Sequence, residues 1–153
     1  MMNYWLMKSE PDDLSIAELA AAPGKAFEWT GVRNYQARNY MRDGMQVGDL
    51  ALFWHSSCPE PGVVGVVRIV AAAHPDSTQF EPDSPYYDPK SSLESPRWLG
   101  VDVAYERTLP LMSPATLRAI PGLEAMQVLK RGNRLSITPV SPAEWALIVG
   151  ERG

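Results

Sequence analysis

Short β-type segments recur along the whole chain, and the helical signals between them are brief. Tyr4–Lys8 and Leu50–His55 are aromatic and apolar. Val63–Ala71 is rich in valine and isoleucine, Trp98–Tyr105 alternates through Val101, Val103 and Tyr105, and Leu135–Val140 alternates through Leu135 and Ile137. Runs of this kind, bounded by turn residues, read as strands. Between them, Ser15 and Glu18 form a capping box whose helix ends at Pro23-Gly24. Asn34–Met41 carries helical spacing and stops at Asp43-Gly44. Ser113-Pro114 pairs an N-cap with proline at the first helical position. Ser141 and Glu144 repeat the capping box, and Trp145, Ile148 and Val149 then form an apolar face up to Gly150. Short strands with scattered short helices do not make alternating βαβ units. The expectation is a single α+β domain over residues 1–153, with its sheet curled into a barrel.

Composition narrows the function classes. A chain of 153 residues, 45% hydrophobic and 21% charged, can bury one core and is not disordered as a whole. The longest apolar stretch, Val63–Ala73, is interrupted by Gly65 and Arg68, so no membrane partner is expected. The opening residues lack the pattern of a secretory signal, and Cys58 is the only cysteine. An intrachain disulfide and a cysteine-rich zinc site are thereby excluded, and a reducing, cytoplasmic setting is expected. A net charge of −4 argues against a general polyanion binder. Ten of the fourteen cations are nevertheless arginine, whose planar fork suits phosphates and base edges. Arg33, Arg38 and Arg42 form one positive stretch, and Lys130, Arg131 and Arg134 another.

One segment fits neither pattern. Ala73–Arg97 holds five prolines in 25 residues, with Phe80, Tyr86 and Tyr87 among them. A loop of this length in a compact domain is functional or disordered, and disordered segments are poor in aromatics. We therefore expect an ordered loop packed over the barrel.

Five tryptophans stand out. Trp5, Trp54 and Trp145 lie in apolar strands or on a helix face and read as core. No periodicity demands a large side chain at Trp29, before the arginine-rich helix, or at Trp98, after Arg97. These two are candidates for a base-stacking surface, with plain packing as the alternative. Lys8-Ser9-Glu10-Pro11 closes the first strand and His55-Ser56-Ser57 the second. If those strands pair, both ends project into one mouth, where hydroxyls and amides could read the edge of a flat heterocycle. Ser9 and Ser56 could instead only cap turns. Cys58 precedes Pro59-Glu60-Pro61-Gly62, a turn that offers no stabilisation to a thiolate. No ligand spacing suggests a metal, and no cofactor motif occurs. Lys8 with Glu10 is the enzymatic alternative, a lysine and a carboxylate that could activate water.

Several ordered motifs carry a resemblance. Tyr4-Trp5-Leu6-Met7-Lys8-Ser9-Glu10-Pro11, Trp29-Thr30-Gly31-Val32-Arg33-Asn34-Tyr35, Gly48-Asp49, Glu60-Pro61-Gly62, Ser84-Pro85-Tyr86-Tyr87-Asp88-Pro89-Lys90 and Pro96-Arg97-Trp98 resemble the EVE domain family, from about residue 3 to 149. The resemblance implies a PUA-like fold, a curled, mostly antiparallel sheet with peripheral helices, similar to YTH and ASCH domains. It implies binding of a modified base in DNA or RNA, without turnover, in a pocket near Lys8, Ser9, Trp29, Val32, Arg33, Asn34, His55, Ser56, Trp98, Arg131, Leu135 and Ser136. In that reading Trp29 or Trp98 stacks on a flipped base, and Ser9, Asn34 and Ser56 pair with its polar edge. Val32 and Leu135 accept the modification, and Arg33, Arg38, Arg131 and Arg134 hold flanking phosphates. Neither cofactor nor metal is implied. A nuclease or modification enzyme would be a separate partner. The alternative is a small ASCH-like hydrolase of a modified nucleoside.

Overall fold

A computed structural model describes residues 3–150. Its centre is a six-stranded sheet of order β2-β5-β4-β3-β1-β6, formed by β1 (Tyr4–Ser9), β2 (Phe27–Glu28), β3 (Leu50–His55), β4 (Gly62–Pro75), β5 (Leu99–Met112) and β6 (Ile137–Val140). Four of the five pairings are antiparallel; β1 and β3 run parallel. The mostly antiparallel sheet with peripheral short helices is thus observed. It curls but does not close into a ring, because its edge strands, β2 with two residues and β6 with four, do not pair with each other. Register shifts interrupt the β3–β4 and β4–β5 ladders, and such bulges bend a sheet and increase its twist.

The apolar runs of β1 and β3 do not alternate because both faces of the sheet are covered. On one face Trp5, Met7, Phe53, Val67, Val101 and Ile137 pack beneath α1 (Ile16–Ala21) and α2 (Tyr35–Asn39). On the other, Leu6, Leu52, Trp54 and Val66 pack with Leu117 of α3 (Pro114–Arg118) and Trp145 of α4 (Pro142–Val149). The expected helix starts are all present. Ser15, Asn34, Ser113 and Ser141 each accept a backbone N–H with their side chain, and capping boxes form at Ser15 and Ser141. A π-helical turn, Tyr40–Gly44, prolongs α2 to the expected stop.

Several strand expectations need correction: β2 has no counterpart in the sequence reading, and the last strand begins at Ile137 rather than Leu135. The irregular segment begins after Pro75 rather than at Ala73, and the fifth strand runs on to Met112 rather than ending at Tyr105. Residues 72–75 and 106–112 lack a clear strand pattern; they are extended because they pair with one another's strands. The segment between β4 and β5 is ordered, as expected. It is stitched down by buried Gln79, whose amide donates to the carbonyls of Asp76 (2.8 Å) and Trp98 (2.7 Å) and accepts from Ser91 Oγ and the Trp98 N–H.

Candidate nucleobase-binding cleft

The parallel pairing of β1 with β3 brings their carboxyl ends side by side. Ser9 stands opposite His55, and the Ser56 N–H donates to the Ser9 carbonyl at 2.9 Å. Beyond these ends the chain leaves a cleft of about 650 Å³, within the range of roughly 300–1,000 Å³ usual for small-molecule sites. Lys8, Ser9, Ser56 and Ser57 line one side, and Ser136, just before β6, adjoins them. Ser57 has φ of 54°, the only left-handed non-glycine among the described residues.

The opposite side is the segment from Phe27 to Val32. The Trp29 N–H donates to the Val101 carbonyl (2.7 Å), and its indole meets Phe53 edge to face at 5.6 Å. Behind it Asp76, fully buried, accepts from the Gly31 N–H (2.8 Å) and pairs with Arg33 Nη1 (3.0 Å). That carboxylate ties the long loop to the cleft wall.

Charge in the cleft is uneven. Four carboxylates line it, those of Glu10, Asp13, Glu18 and Glu28, against the cations of Lys8 and Arg134. Glu28 also accepts from Ser77 Oγ (2.7 Å) and lies 3.8 Å from His74, whose Nε2 meets Asp102 at 2.8 Å. Burial alone would lower the His74 pKa. Its hydrogen bonds to Asp102 and the Pro75 carbonyl, with the charges of Asp102 and Glu28, outweigh burial and raise it. A raised pKa stabilises the fold fully below the ordinary histidine value of about 6.5 and ceases to do so as pH rises through the folded value. His74→Gln is therefore expected to lower stability more at about pH 5.5 than at about pH 8.5, by less than about 1 kcal/mol because the pair is partly solvated. Urea unfolding at both pH values measures it; equal deficits would refute it.

Comparison with known proteins places this geometry. The EVE domain profile matches residues 3–151. This chain belongs to the EVE domain family. It is 42% identical to thymocyte nuclear protein 1 of Mus musculus, covering 97% of this chain and 73% of that protein. A Pseudomonas putida crystal structure matches with TM-score 0.90 at 48% identity, covering 95% of this chain and 97% of that one. The human THYN1 protein in complex with 5-methylcytosine containing DNA matches with TM-score 0.86 at 40% identity, covering 97% and 98%. The PUA-like fold expected from sequence is thereby established.

Of the residues singled out from sequence, this EVE domain brings Lys8, Ser9, Glu10, Trp29, Val32, Ser56, Arg134 and Ser136 to the cleft. The rest are placed elsewhere. Asn34 caps α2, accepting from the Ala37 N–H at 3.0 Å. His55 accepts the Ile16 N–H through Nε2 at 3.2 Å, and burial pushes its pKa down, which suits a neutral acceptor. Trp98 is buried, stacked on Tyr35 at 4.8 Å with the Arg33 guanidinium 5.4 Å from its ring centroid, and its indole N–H donates to Asp88. Arg33 is held by Asp76 and the Tyr86 carbonyl, and Arg38 by the Arg97 carbonyl and Asn39. Arg131 and Leu135 lie beside the cleft in sequence without lining it. Ser9 Oγ donates to the Leu14 carbonyl at 2.9 Å, leaving its lone pairs as acceptors.

Among the lining residues that escaped the sequence reading as parts of the site are Asp13, Glu18, Glu28 and Tyr86. Tyr86 had a visible signal, an aromatic side chain in a long ordered loop. Asp13 and Glu28 had none, since exposed acids occur throughout the chain.

Proposed function

We propose that this chain reads a modified base in DNA, turned out of its stack into the cleft, without chemical turnover. The observation that carries the reading is the match, over nearly the full length of both chains, to the human relative in complex with 5-methylcytosine containing DNA. The charge pattern supports it. A cleft with four carboxylates and two cations disfavours phosphate but suits the exocyclic amine of a cytosine, which donates to Asp or Glu. Phosphates are left to Arg134, at the cleft, and to Arg131, three positions before it in sequence; no ion pair or hydrogen bond engages either side chain among the described residues. Trp29, only 5% exposed, is the floor of the cleft rather than an open platform. Burying one methyl group there contributes only about 0.8 kcal/mol, so preference for the modified base should be modest. The hydrolase alternative lacks this kind of support. Lys8 forms no ion pair with Glu10 among the described residues; its ammonium lies 5.8 Å from the Trp54 ring centroid.

Fluorescence anisotropy with 5-methylcytosine and unmodified duplexes at low salt tests the reading. Tighter binding of the methylated duplex is expected, and equal or absent binding of the two refutes it. Arg131→Ala and Arg134→Ala should each weaken both duplexes equally and reduce the slope of log K against log salt by about 1. An unchanged slope would remove that arginine from the phosphate track.

A further inference from the structure

Tyr86 projects over the cleft from an anchored base. Its carbonyl accepts from Arg33 Nη2 (2.7 Å) and Nε (3.2 Å), and Arg33 is itself paired with buried Asp76. The backbone at Tyr86 is thereby pinned. Its ring lies over Gly31, where a Cβ would stand 2.7 Å from Tyr86 Cζ, so the crossing depends on a glycine at that position. At the far end the hydroxyl donates to Asp13 Oδ2 at 2.9 Å, in the turn that follows β1. Both residues line the cleft, and they are 73 positions apart in sequence. Burial, together with Asp13 and Glu10, pushes the phenol pKa up, so it remains a donor at neutral pH. The tip contact is exposed, and water competes for both of its partners. A pinned hinge, a large flat ring and a weakly held tip are the parts of a clasp.

We propose that Tyr86 and Asp13 form a clasp across the cleft that opens to admit the base and closes on it. The clasp deepens the base-reading function and rests on it. It makes Tyr86 a positioning residue whose effect lies in the rates of binding more than in the affinity.

Stopped-flow association of a 5-methylcytosine duplex tests this. Tyr86→Phe keeps the ring and removes the bond, and Asp13→Ala removes the same bond from the other side. Each is expected to raise the association and dissociation rate constants together, by about two- to tenfold. The double variant should be no faster than either single one, because one interaction is lost in all three. Unchanged rates in both single variants, or effects that add in the double variant, would overturn the clasp. A retained preference for the methylated duplex in that case leaves the base-reading function standing. A second readout needs no DNA. In protein labelled with fluorotyrosine, the Tyr86 resonance should shift on Asp13→Ala. No shift overturns the clasp, even where wild-type protein shows no preference and the base-reading function itself has failed.

Discussion

Replacing Asp76 with alanine is expected to lower the free energy of unfolding by about 3 kcal/mol, near the low end for breaking a buried ion pair from one side. The low end applies because Arg33 keeps 23% of its side chain exposed and can recover some hydration, whereas Asp76 has none exposed. Four donors lose an acceptor, the Gly31 N–H, Arg33 Nη1, the Thr78 N–H and the Thr78 hydroxyl, and of these Nη1 keeps the Val32 carbonyl. Because Gly31 belongs to the cleft wall, with Arg33 just beyond its end, and the Thr78 groups belong to the long loop, the wall and the loop should separate. Selective binding of a methylated duplex should be lost with them. Urea unfolding with a matched binding titration checks both parts. A stability loss below about 1 kcal/mol, the value of an ordinary exposed pair, would show that the carboxylate does not hold the loop.

The second large effect concerns Trp29. Trp29→Ala removes a buried indole packed on Phe53 and should cost about 3–5 kcal/mol, the usual range for deleting a large aromatic from a core. The cavity would open directly beneath the cleft, so binding of the methylated duplex should fall together with stability. Trp29→Phe separates the two effects. It retains an aromatic floor, and is expected to lose under about 2 kcal/mol of stability and less than tenfold in affinity. Full affinity in Trp29→Ala protein that remains folded would place the bound base elsewhere.

The local elements were legible because their physics is local. A serine or asparagine at an N-cap satisfies amides two or three residues on, and Ser15, Asn34, Ser113 and Ser141 do so here. The same locality explains the place Asn34 takes. Its side chain is the right chemistry for a base edge and equally for a helix cap, and the helix beside it takes it. Arg33 and Arg38 take intramolecular partners for a related reason. An arginine fork that fits a phosphate also fits a buried carboxylate or a carbonyl, and Asp76 and the Arg97 carbonyl lie 43 and 59 positions away. Trp98 went to Tyr35 by packing that no spacing rule reveals.

Residue order alone determined that short strands and capped helices build an α+β domain, that the segment rich in proline and aromatics is ordered, and that the polar residues ending Tyr4–Lys8 and Leu50–His55 meet at one mouth if those strands pair. Tertiary structure alone decided that β1 and β3 run parallel, that the sheet stays open at β2 and β6, and that Tyr86 rather than Trp98 reaches the cleft. Capping and strand alternation act over a few residues and leave their mark in the order of side chains. Strand pairing and the choice of partner for an arginine or an indole are competitions among groups far apart in the chain, settled only when folding brings them together.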